Sequence, residues 1–62
     1  MKNELEQKAF ELGKKAFKNE KKCIPIHDPE LMKLAKENPN ESMMPLFEAW
    51  SEGWHQENLN QS

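Results

Sequence analysis

Arginine, valine, threonine and tyrosine are all missing from this 62-residue chain, and there is a single cysteine. Without Val, Thr or Tyr the residues that favour strands are nearly gone, so a sheet is not expected. One cysteine, Cys23, forms no internal disulfide, which excludes a secreted disulfide scaffold. Nine lysines supply all the fixed positive charge, without the planar fork that arginine offers to phosphate. Long apolar runs are absent too. The longest near-apolar stretch, Met43-Met44-Pro45-Leu46-Phe47, falls far short of a membrane span. The opening residues Met1-Lys2-Asn3-Glu4-Leu5-Glu6 lack a signal-peptide core, so a cytoplasmic location is expected, with no membrane partner.

What remains favours helix. Lys, Glu, Leu, Ala, Met and Gln are abundant. Leu, Ile and Phe together make only eleven residues, just under the roughly one fifth at which disorder becomes a concern. The formal net charge of −2 is too small to complete that signature, so a thin but foldable core is expected. The length allows one domain, residues 1–62, and no deep pocket of several hundred cubic ångströms. The small net charge hides an asymmetry: residues 1–22 carry seven Lys and four Glu, residues 23–62 two Lys and seven acids. Such a bipolar chain can pair its halves or show opposite faces to different partners.

Spacing places the elements. Asn3 and Glu6 have the separation of a capping box, opening a helix over about residues 3–21. Leu5, Ala9, Leu12, Gly13 and Ala16 form its apolar stripe, widened by Phe10 and Phe17, with Lys14, Lys15 and Lys18 mostly off it. A connector over 22–28, extended through Cys23-Ile24-Pro25-Ile26-His27, follows. Asp28-Pro29-Glu30 reads as N-cap, N1 proline and first-turn acid of a short helix over about 29–37. Its Leu31, Leu34 and Ala35 face inward, and Asn38 and Pro39 end it. A last helix over about 43–58 shows Met43, Leu46, Phe47, Trp50, Gly53 and Trp54 on one face, and Glu41, Glu48, Glu52 and Glu57 on its polar side. Residues 59–62 are expected to fray.

Gly13 and Gly53 each sit inside a helical pattern, where glycine costs about 1 kcal/mol relative to alanine. A reason to keep it there is close approach of another helix. The expected fold is therefore all-α: a small antiparallel helical hairpin closed at the two glycines, with a short extra helix in the connection.

Three pieces of the chain bear on function. Gly13-Lys14-Lys15-Ala16, then Cys23-Ile24-Pro25, then Trp50-Ser51-Glu52-Gly53-Trp54 occur in order. In that order they resemble the ribosome modulation factor family and its small phage- and plasmid-borne relatives of the CrpP type. The resemblance covers about residues 9–23 and 46–57. It makes Gly13, Ala16, Cys23, Pro25, Trp50, Gly53 and Trp54 the structural motif. The family implies a helical protein that docks on the small ribosomal subunit and promotes inactive, hibernating ribosomes. This chain departs from the pattern in lacking Arg, in its acidic balance and in its expected middle helix.

The residues themselves offer candidates of three kinds. Lys14, Lys15, Lys18, Lys21 and Lys22 form the one nucleic-acid footprint, suited to rRNA phosphates, and Trp50 and Trp54 at helical spacing are expected to pack the core. Met32, Met43 and Met44 surround the second connector and suit a docking patch for a protein partner, or fill gaps in a small core. Cys23 and His27 make at best half a metal site, His55 is expected at the helix surface, and neither a metal nor a cofactor is expected. No phosphate-cradling glycine loop is present and nothing assembles a nucleophile with its base, so no catalysis is expected. The sequence thus points to a non-enzymatic, ribosome-directed accessory factor that lowers translation; the alternative is a protein-binding module or inhibitor keeping the same fold. A thin core also leaves apolar surface that a homodimer would hide.

Overall fold

A computed structural model of the chain describes residues 4–40 and 42–61. Among them there are three α-helices and no strand: α1 (Glu4–Lys18), α2 (Pro29–Glu37) and α3 (Met43–Gln61), with a 3-10 turn over Pro25–His27. The all-α expectation and the pairing of the two outer helices are borne out, with the short helix in the connection between them. Asn3 and Glu41 lie outside the described residues, and so does Ser62.

The core is small. Ala9, Ala16, Leu31, Leu46, Ala49 and Trp50 are buried, and Leu5, Phe10, Leu12, Leu34, Ala35, Phe47 and Trp54 pack partly against them. Trp50 and Leu31 are its largest fully enclosed side chains, and they carry most of the apolar burial per residue. On α1 the buried stripe is Ala9, Gly13 and Ala16; on α3 it is Leu46, Ala49, Trp50, Gly53 and Glu57. Small residues on both sides let the two backbones meet.

The meeting is close at both glycines. A Cβ placed on Gly13 would fall onto the carbonyl oxygen of Trp50 and lie 2.8 Å from its carbonyl carbon. A Cβ on Gly53 would fall in the same way onto the carbonyl oxygen of Phe10, 2.9 Å from the carbonyl carbon. Both obstacles are backbone, which cannot rotate aside. The helix-propensity cost of each glycine therefore has a packing reason.

The helix of residues 3–21 is shorter than expected. α1 ends at Lys18, because Glu20 adopts a left-handed conformation with φ 61°. Two hydrogen bonds close the end: the Lys21 amide donates to the Ala16 carbonyl at 2.9 Å and the Glu20 amide to the Phe17 carbonyl at 2.9 Å. That pair is a Schellman motif, built here with Glu where glycine is usual. A Cβ in this region costs roughly 1–2 kcal/mol. Glu20→Gly is thus expected to stabilise the fold by about 1 kcal/mol, raising the thermal midpoint followed by circular dichroism at 222 nm.

Four further expectations change. The connector is not extended throughout: Pro25 starts a 3-10 turn, in which His27 and Asp28 donate to the carbonyls of Ile24 and Pro25 at 3.0 Å each. The fixed φ of proline suits that first position. The last helix runs to Gln61 rather than fraying after residue 58, and the Gln61 side-chain Nε2 donates to Glu57 Oε1 at 2.9 Å. Glu57 is not on a polar side but 6% exposed, since it follows Gly53 by four residues along the buried stripe. Met43, expected on the apolar face, is instead 44% exposed at the first position of α3.

Asp28 joins these elements. Its Oδ1 accepts from the amides of Glu30 at 2.9 Å and Leu31 at 3.3 Å, capping α2 as the sequence predicts. Its Oδ2 accepts from the Trp50 indole Nε1 at 2.7 Å. One carboxylate therefore starts the middle helix and satisfies the buried indole of the last.

Candidate functional site

The lysine group gathers at the end of α1 rather than along one whole face. Lys18 closes the helix, and Lys21 and Lys22 follow the Schellman turn; all three are exposed. Lysines here also face the negative end of the α1 dipole, which favours cations by a few tenths of a kcal/mol or more. Lys15 turns to Glu30, Nζ to Oε1 at 3.1 Å, with both side chains more than half exposed. A pair so exposed adds little stability, about 0–1 kcal/mol, and leaves Lys15 easily redirected. Lys14 is half-buried, with Nζ 5.8 Å from the centre of the Phe10 ring.

Trp54 fixes where these lysines sit. Its indole Nε1 donates to the Lys21 carbonyl at 2.9 Å, and its ring stands edge-on to Phe17 with centroids 5.1 Å apart. The chain around Lys21 is therefore tied to α3 by a side chain 33 residues away. Phe17, Lys18, Glu20, Lys21, Trp54 and Gln61 line one shallow hollow beside that tie. Two lysines, the Glu20 carboxylate and two aromatic rings thus share one surface. Trp50 takes no part in it, being enclosed in the core at 1% exposure.

The methionines separate. Met32 packs half-buried against the core, whereas Met43 and Met44 are 44% and 62% exposed. Cys23 meets His55 and not His27: its Sγ lies 3.8 Å from His55 Nε2, across 32 residues of chain. Among the described residues no three acidic, Cys or His side chains gather as metal ligands. No helix is long and apolar enough to cross a membrane among those residues.

Sequence reasoning missed three contacts: Trp54 with Lys21, Trp50 with Asp28, and Cys23 with His55. Each joins the first connector to α3, so no periodicity or local spacing signals it. The excess of donors offered by two tryptophans is the one hint, because a buried indole N–H requires an acceptor.

No family model, no curated protein and no solved structure matches the chain.

Proposed function

We propose that this protein is a non-enzymatic accessory factor that docks on the small ribosomal subunit, contacts its rRNA through the lysine-bearing end of α1 and lowers translation. The observation that carries this reading is the shared surface of Lys18, Lys21, Phe17 and Trp54. Lysine ammonium groups bind phosphates as point charges, and aromatic rings are the side chains on which unstacked bases stack. The glycine-notched seam of α1 and α3, in the positions that resemble the ribosome modulation factor family, supports the same reading.

Co-sedimentation with purified small subunits over a salt series tests it. Binding is expected to fall steeply with salt, with a log–log slope of about −0.7 to −0.9 per phosphate neutralised. Replacing Lys18 and Lys21 by Glu is expected to reduce the bound fraction more than tenfold while leaving the helical circular dichroism unchanged. Retained binding in that variant defeats the proposal.

The exposure of Met43 and Met44 favours a second reading, in which a host protein is the target. In that case Met43→Ser with Met44→Ser abolishes capture and salt has little effect.

A further inference from the structure

We propose that Cys23 and His55 form one half of a zinc site that a second copy of this chain completes. The two side chains come from the first connector and from α3, and they meet at the surface: the thiol is half-buried and the imidazole exposed. Their separation fits a shared ion. With Zn–S near 2.3 Å and Zn–N near 2.0–2.1 Å at a tetrahedral angle, sulfur and nitrogen stand about 3.6 Å apart. The observed distance from Sγ to Nε2 is 3.8 Å, so a small rotation of either side chain reaches that value. Sγ and Nε2 are both ordinary zinc ligands, and each is the other's hydrogen-bond partner here, the place an ion would take between them.

One chain alone offers two ligands where a structural zinc takes four. Among the described residues no third donor joins the pair. Two copies related by a two-fold axis through the metal supply two thiolates and two imidazoles, the Cys2His2 set. Each thiol releases its proton to solvent on binding, and the two thiolate charges offset those of the ion. Each imidazole gives the Nε2 lone pair. Ile24, next to Cys23 in the chain and 37% exposed, is apolar surface that a second copy would cover.

Titration of the purified chain with zinc ion under a metal-compatible reductant, followed by sedimentation equilibrium, is the test. The expected result is a doubling of mass that saturates at one zinc per two chains and reverses with a chelator. The reductant excludes a disulfide-linked pair as the source. Cobalt ion in place of zinc is expected to give a thiolate-to-metal charge-transfer band. Cys23→Ser and His55→Ala are each expected to abolish the dimer, and His27→Ala to leave it intact. Because His55 is exposed, His55→Ala keeps the test valid even where Cys23→Ser perturbs the connector. A chain that stays monomeric with excess zinc, that binds one zinc per chain, or that loses the dimer with His27→Ala overturns the proposal.

Discussion

Replacing Gly13 by alanine is expected to destabilise the protein by about 2–3 kcal/mol, opposite in sign to what helix propensity alone gives. In an isolated helix the change would stabilise by about 1 kcal/mol. Here the added methyl meets the Trp50 carbonyl, with the Trp54 amide nitrogen 3.0 Å away, and neither atom can move without moving α3. The helices must separate, which loosens the packing of Ala9, Ala16, Ala49 and Trp50 together. Overpacking of this kind costs about 1–3 kcal/mol and occasionally more. A domain of this size has only about 3–5 kcal/mol to lose. A fall of roughly 10–20 °C in thermal midpoint is expected, at about 4–8 °C per kcal/mol. Gly53→Ala should behave alike, because its Cβ meets the Phe10 carbonyl and lies 3.2 Å from the Lys14 amide nitrogen. Surface Ala substitutions such as Gln56→Ala serve as the control and should shift the midpoint little.

Asp28→Ala is the second large effect, at about 2–4 kcal/mol. Loss of an N-cap costs about 1 kcal/mol. The buried Trp50 indole also loses the carboxylate oxygen 2.7 Å away, and an orphaned buried donor costs about 1–3 kcal/mol. Asp28→Asn separates these contributions. Its single side-chain oxygen can cap α2 or accept from Trp50, but cannot replace both carboxylate oxygens. An intermediate loss of about 1–2 kcal/mol is expected. In a Trp50→Phe background, where no indole donor remains, Asp28→Asn should cost distinctly less. Urea denaturation of the four proteins in this cycle measures the coupling, and additive losses would show that the Asp28–Trp50 bond contributes nothing.

These two effects show which parts of the fold were legible in the residues. The glycines were legible because a helical stripe at Leu5, Ala9, Leu12 and Ala16 makes Gly13 conspicuous, and Trp50 with Trp54 does the same for Gly53. Asp28-Pro29-Glu30 was legible because N-capping is local and has strong residue preferences. The end of α1 was not: nothing marks Glu20 as left-handed, since Asn and Gly are the usual residues there. Glu57 was misplaced because its charge outweighed its position on the stripe Leu46, Trp50, Gly53. The lysines were legible as a group by composition, but their gathering at one end depends on the Schellman turn and on the Trp54 tie to Lys21. Long-range hydrogen bonds of that sort leave no imprint on local spacing.

α1 and α3 touch backbone to backbone at Gly13 and Gly53, while the Trp54 bond to the Lys21 carbonyl holds the lysine-bearing turn against α3. Proton NMR of the folded chain tests this arrangement directly. Nuclear Overhauser contacts are expected from the Gly13 α-protons to the Trp54 amide and from the Gly53 α-protons to the Lys14 amide. The Trp50 indole N–H, bonded to Asp28 in the core, is expected to be protected from exchange with water. A spectrum without either glycine contact, with the Trp50 indole exchanging as freely as in the unfolded chain, would contradict it.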